Sequence, residues 1–95
     1  SMRPLPPASS LPMSVAVRTL FFASYRDLVG TPELAVELGE GATVSDLVAE
    51  LRGRGRGFGS LPADPAVAVN RRYAALSERL SSGDEVAFIP PVAGG

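Results

Sequence analysis

The residues with the most distinctive chemistry stand at the end of the chain, in the run Pro90-Pro91-Val92-Ala93-Gly94-Gly95. The two prolines lack amide hydrogens and fix φ at about −65°, so they predict that strand pairing stops and the chain continues as an extended arm. Gly94 and Gly95 have no Cβ, so a partner protein can enclose the backbone and reach the Gly95 carboxyl carbon without steric shielding. We interpret this tail as a carboxylate delivered on a stiff spacer, although small terminal residues are also typical of a frayed chain end.

The composition excludes most self-contained catalytic sites. The 95 residues include no Cys and no His, and all nine basic residues are Arg. Disulfides, thiol nucleophiles, Ser-His pairs, the usual zinc sites, P-loop lysines and Schiff-base lysines are therefore excluded. We expect a chain with no catalytic side chain of its own, no metal and no bound cofactor.

Length, charge and hydropathy predict one small soluble domain. The chain is 45% apolar with a formal net charge of −1, and it contains no apolar run near the about 18 residues of a membrane span. The prolines and serines of residues 1–14 predict a disordered arm, in which Ser1 resembles a tag remnant and either Met2 or Met13 is the natural start. The domain is predicted over residues 15–89 and the projecting tail over 90–95. The absence of an export signal indicates a cytoplasmic protein, and we expect neither a membrane nor a nucleic-acid partner.

Two strands and a long helix are predicted in the first half of the domain. Alternation over residues 15–22 predicts a strand with Phe21 inward and Phe22 outward, followed by a short helix over 24–29 and an antiparallel strand over 33–38. Apolar residues at helical spacing predict the main helix, which begins after the cap Thr43, has a capping-box carboxylate at Asp46 and ends at Gly53.

The second half predicts a hairpin and a last strand. Residues 66–70 and 73–76 are separated by a tight turn, and residues 85–89 form a strand in which Phe88 faces the core and Ile89 faces outward. The order indicates an α+β fold in which a mixed sheet wraps over one main helix. The last strand is expected beside the first, so that the tail leaves from the middle of the sheet.

Residues 52–59 form an Arg-Gly repeat that contains Phe58. Such repeats are typical of flexible, solvated loops, and we expect a loop here. The competing hypothesis is a module that binds single-stranded RNA, with Phe58 stacking on bases.

Four segments resemble the small subunits of molybdopterin synthases: Leu20-Phe21-Phe22-Ala23, Arg26-Asp27-Leu28-Val29-Gly30, Ala68-Val69-Asn70 and the closing run from Gly83 to Gly95. The resemblance covers about residues 15–95, and Pro-Pro-Val-Ala-Gly-Gly is its most specific part. It implies a ubiquitin-like β-grasp fold.

The resemblance also implies a function. In that family, an activating enzyme related to ubiquitin activators uses ATP to adenylate the terminal glycine, which is then converted to a thiocarboxylate. The tail enters the large synthase subunit and gives its sulfur to cyclic pyranopterin monophosphate. Gly95 would be the thiolated residue and Gly94 the slender link, in a subunit that supplies sulfur and no catalytic side chain.

The resemblance places Phe22, Tyr73 and Ile89 on an apolar partner-binding face. Ile89 stands where some members have Phe, so the face stays apolar without that aromatic ring. Arg26 is either a charged contact at the edge of this face or a solvated arginine. Two further functions stay open: a sulfur carrier for thiamine or cysteine synthesis, and a ubiquitin-like protein modifier.

Overall fold

The computed structural model describes residues 14–91, which form five strands, two α-helices and one 3-10 helix. The elements in chain order are β1 Ser14–Phe21, α1 Ala23–Val29, β2 Glu33–Gly39, α2 Val44–Arg52, the 3-10 helix Arg56–Ser60, β3 Ala66–Val69, β4 Arg72–Ala74 and β5 Glu85–Ile89. Strand β1 thus begins one residue before the predicted domain boundary. The rest of the predicted N-terminal arm lies outside the described residues.

The strands form one mixed sheet in the order β2-β1-β5-β3-β4. The central strands β1 and β5 are parallel, whereas β2, β3 and β4 join by antiparallel pairing. This order confirms that the last strand lies beside the first and that the chain leaves the sheet from its middle. The arrangement, a mixed sheet over one main helix, is the predicted α+β β-grasp.

Helix α2 supplies the layer that covers the inner face of the sheet. Four of its apolar residues are buried together with the inward residues of the strands: Val44, Leu47, Val48 and Leu51. The predicted capping box is present, since the Asp46 amide donates to Thr43 Oγ1 at 3.3 Å and the Thr43 amide donates to Asp46 Oδ2 at 2.9 Å. These bonds satisfy amides that the first turn leaves unpaired, and the helix ends at Gly53 as predicted.

The expectation of a flexible, solvated loop at the Arg-Gly repeat is wrong for residues 56–60, which form the 3-10 helix. Phe58 is half-buried and packs edge-on against Phe21, with ring centroids 6.0 Å apart. The physical reason is Gly57, because a Cβ there would lie 1.6 Å from the carbonyl oxygen of Leu28 in α1. A bare backbone at this position lets the 3-10 helix pack directly against α1 and places one side of the Phe58 ring against the core.

A hydrogen-bond network holds the hairpin turn to the start of β5. Asn70 adopts the left-handed conformation with φ 51°, which Asn tolerates better than most residues. Its side chain donates to Asp84 Oδ1 at 3.0 Å and accepts from the Glu85 amide at 3.0 Å, while Asp84 Oδ2 accepts from the Ser81 amide at 2.8 Å. Two of the motif residues that carry the resemblance therefore have a structural role.

Candidate functional site

The tail begins at the end of β5, the strand with neighbours on both sides near the middle of the sheet. Phe88 pairs with Phe21 of β1 and Val67 of β3, and its side chain is fully buried. Pro90 and Pro91 follow outside any strand, as the missing amide hydrogens predict. A firmly held strand therefore fixes the point from which the tail starts. Gly94 and Gly95 lie outside the described residues, so their proposed roles stay predictions.

The strand pairing places apolar side chains on the outer face of the sheet. Ala87 pairs with Ala68, which pairs with Tyr73, and paired residues point to the same side. Ile89 lies two residues beyond Ala87 and shares this face, opposite to the inward Phe88. The side chain of Tyr73 is 80% exposed.

Phe22 lies beside this surface, directly after β1, and caps α1 in an extended conformation. Its exposed fraction is 49%, which confirms the prediction that the ring faces outward. Because β1 runs parallel to β5, Phe22 follows Phe21 at the same end of the sheet as Ile89. The structure thus brings Phe22, Tyr73 and Ile89 to one exposed face around the base of the tail.

Arg26 lies one helical turn beyond Phe22, and its amide donates to the Phe22 carbonyl at 3.4 Å. The residue is exposed, and it forms no ion pair with any residue in 14–91. This position fits a charged contact at the edge of the face, and the contact itself stays a prediction.

A groove of about 430 Å³ lies at the foot of the tail, and we call it the tail groove. It is lined by four prolines, two tyrosines, two aliphatic residues and one acid: Pro62, Pro65, Pro90, Pro91, Tyr25, Tyr73, Ala66, Ile89 and Asp64. Asp64 is the one charged residue among these lining residues. The tail groove joins the outer face to the first residues of the tail.

Tyr25 is buried and is one of the residues that line the tail groove. The residue is 8% exposed, and within residues 14–91 the hydroxyl makes no hydrogen bond and is not among the fully buried polar atoms. Burial, and to a smaller extent the negative charge of Asp64, raise the pKa of the Tyr25 phenol above its ordinary value of 10.0. The phenol is therefore protonated at neutral pH and is available as a hydrogen-bond donor.

Sequence reasoning did not single out Tyr25 or Asp64. Tyr25 carried a weak signal, because it stands four residues before Val29 in α1 and both lie against the core. Asp64 carried none, since it stands in the irregular segment between the 3-10 helix and β3. Its position beside the tail depends on how the whole chain folds.

A larger groove, of about 560 Å³, lies between the end of β2 and α2, away from the tail. Its acidic lining includes Glu37, Glu40 and Glu50, together with Asp46, whose carboxylate is already used in the capping box.

No cluster of three potential metal ligands occurs in residues 14–91. No helix in that range is long and apolar enough to cross a membrane.

The chain matches the model of the ThiS family over residues 19–95, a span that includes the end of β1, the other four strands, both α-helices and the tail. The chain belongs to this family. It is 36% identical over 81 residues to the molybdopterin synthase sulfur carrier subunit of Chlamydomonas reinhardtii, covering 83% of this chain and 98% of that protein. It is 39% identical over 82 residues to the protein of the same name from Mycobacterium tuberculosis, covering 85% and 99%.

A solved structure shares the fold. The crystal structure of small archaeal modifier protein 1 from Haloferax volcanii matches with a TM-score of 0.73 and 29% identity, over 82% of this chain and 99% of that one. The structure of Caldiarchaeum Subterraneum ubiquitin matches with a TM-score of 0.59 and 17% identity, over 86% of this chain and 99% of that one. The ubiquitin-like β-grasp that the resemblance implied is therefore confirmed for this ThiS family chain.

Proposed function

We propose that this chain is the sulfur carrier subunit of a molybdopterin synthase. The observation that carries the proposal is the agreement between the family match, which runs to Gly95, and the fold, in which β5 leads directly into that tail. The relatives from Chlamydomonas reinhardtii and Mycobacterium tuberculosis, named as such carriers, are covered almost completely by the alignment.

The reactive group of the proposal is the carboxylate of Gly95. A carboxylate is a poor electrophile until its oxygen attacks the α-phosphorus of ATP, which releases pyrophosphate and leaves an acyl adenylate. A sulfur nucleophile then displaces AMP at the carbonyl carbon and yields the thiocarboxylate. After the sulfur passes to cyclic pyranopterin monophosphate, hydrolysis by water at the carbonyl carbon supplies the second oxygen, so the carboxylate is regenerated and can be used again.

The chain itself needs no catalytic side chain for these steps. ATP is bound by the activating enzyme, and the pterin is bound by the large subunit, so both partners supply the acids, bases and positioning groups. This division of labour agrees with a chain that has neither His, Cys nor Lys. The chain acts as a non-catalytic donor subunit.

The outer face supplies the docking contacts in this proposal. Phe22, Tyr73 and Ile89 bury apolar area against the large subunit, and Arg26 pairs with an acidic side chain at the edge. Gly95 is the sixth residue after Ile89, so covalent geometry allows a reach of about 20 Å from the end of β5. When the outer face docks on the partner, the tail can therefore place the Gly95 carboxylate deep inside that partner while the rest of the domain stays at its surface.

A second candidate function is protein modification through Gly95. The observation that favours it is the likeness to the archaeal protein whose name describes it as a modifier. A carrier for another sulfur acceptor, in thiamine or cysteine synthesis, would use the same tail chemistry.

The test is a reconstituted assay with the activating enzyme, ATP, a sulfide source, the large subunit from the same organism and cyclic pyranopterin monophosphate. We expect molybdopterin to form, and its formation to require both the large subunit and ATP. Sulfur transfer only to a thiazole or cysteine precursor would contradict the proposal. Isopeptide-linked conjugates in host extracts, without molybdopterin formation, would favour the modifier.

A further inference from the structure

We propose that the tail groove receives an arginine or lysine side chain of the large subunit, with Asp64 as its ion-pair partner. The inference rests on the proposed function and names a contact that determines which partner the tail enters. Its basis is the position of the groove, its single charged residue and the two tyrosines that also line it.

The groove lies where a partner protein that binds the tail would contact this domain. Ile89, Pro90 and Pro91 form part of its lining, and they are also the residues from which the tail departs. A protein that encloses the tail as far as Gly95 must approach this foot. The groove is continuous with the outer face through Tyr73, so one docking surface covers both.

The negative charge in the groove indicates that the partner supplies a positively charged side chain. Some other carboxylates already have partners: Glu33 lies 2.9 Å from Arg18, and Asp84 accepts two hydrogen bonds. Asp64 is exposed and forms no ion pair or hydrogen bond with any residue in 14–91. Docking would remove water from this carboxylate, and an uncompensated charge at an interface opposes binding. A cation placed opposite Asp64 offsets that cost, whereas a partner without one is rejected.

The two tyrosines fit a long basic side chain. Tyr73 exposes most of its ring, and an aromatic face attracts an ammonium or guanidinium group. The Tyr25 hydroxyl is a donor without a partner in the described residues, and it can bond Asp64 or a partner carbonyl while the cation is bound. The volume of about 430 Å³ lies within the range of about 300–1,000 Å³ that is usual for ligand sites.

The chain's own tail is a poor occupant of the groove. Its end carries the negative charge of the Gly95 carboxylate, and the charge in the groove is also negative. Like charges repel at short range in a site of low polarity. The charge of the groove thus favours a partner's cation over the carrier's own terminus.

The test compares two carboxylate-to-amide variants of the full chain, Asp64→Asn and Asp27→Asn. Asp27 is an exposed acid of α1 that is also unpaired within residues 14–91, and it does not line the tail groove. Binding to the large subunit from the same organism is measured by calorimetry at low and high salt. We expect Asp64→Asn to raise Kd by roughly 10-fold or more at low salt, with a smaller ratio at high salt, and Asp27→Asn to stay within about 2-fold.

A measurement of the sulfur-transfer rate separates a role of Asp64 in binding from a role in the transfer step. At saturating large subunit, thiocarboxylated Asp64→Asn should transfer sulfur at the unaltered rate, because Asp64 acts in binding alone. Equal Kd values for Asp64→Asn and the unaltered chain would overturn the inference and leave the proposed function standing. Failure of the unaltered chain to bind the large subunit at all would overturn the proposed function together with the inference.

Discussion

Deleting Gly95 is expected to abolish sulfur transfer to the pterin while leaving the thermal unfolding midpoint unchanged. The deletion moves the terminal carboxyl carbon back by about 3.5 Å, the length of one extended residue. A misplacement of about 1 Å can cost roughly 100-fold in rate, so we expect the loss to exceed 100-fold. The fold should be unaffected, because the sheet ends at Ile89 and the last fully buried side chain in residues 14–91 is Phe88. Transfer is measured as molybdopterin formed in a single turnover.

The matched control is Gly95→Ala, which keeps the length of the tail and adds one methyl group. The added methyl group partly shields the carboxyl carbon but leaves it at the same distance from the domain. We therefore expect Gly95→Ala to transfer sulfur more slowly than the unaltered chain and faster than the deletion variant. Full activity of the deletion variant would show that the tail is not the sulfur donor. A lowered unfolding midpoint would show that the tail contributes to the fold.

Among Gly→Ala substitutions at the glycines of residues 14–91, Gly57→Ala is expected to lower stability the most. The added Cβ would lie 1.6 Å from the carbonyl oxygen and 2.6 Å from the carbonyl carbon of Leu28. Both atoms belong to the backbone of α1, so relief requires the 3-10 helix to separate from α1. We expect the free energy of unfolding to fall by about 3 kcal/mol or more. For a domain of this size the unfolding midpoint would fall by roughly 12 °C or more, as measured by calorimetry.

Gly59→Ala is the control for Gly57→Ala. Gly59 lies in the same 3-10 helix. A Cβ added there would have the Arg52 carbonyl oxygen as its nearest neighbour, at an ordinary van der Waals distance of 3.8 Å. Its effect should stay within about 0.5 kcal/mol. Equal stability of the two variants would contradict the close packing of the 3-10 helix on α1. Phe22 and Arg26 are on or next to α1, so Gly57→Ala should also weaken binding of the large subunit.

The main elements could be predicted because their signals are local. Alternating residues in β1 and β5 identified the inward side chains, and Thr43 with Asp46 identified the start of α2. The same alternation placed Phe22 and Ile89 outside the core, and Pro90 and Pro91 marked the end of the sheet. The position of β5 beside β1 was also predicted, whereas the parallel direction of that pairing was not.

The remaining features depend on contacts between distant parts of the chain. Residues 52–59 have the composition of a loop, and the structure of residues 56–60 depends on a close approach of Gly57 to α1 that composition does not reveal. Asp64 joins the site because the segment before β3 lies against the foot of the tail. Neither contact has a periodicity or a motif that sequence reasoning could use.

In the proposed function, the reacting atom of this chain is the terminal carbonyl carbon of Gly95. The decisive measurement is the intact mass of the chain after incubation with the activating enzyme, ATP and a sulfide source. We expect one added mass equal to the difference between sulfur and oxygen, located on the peptide that ends at Gly95 and lost on incubation with the large subunit and the pterin precursor. An unchanged mass, or sulfur located on any other residue, would contradict it.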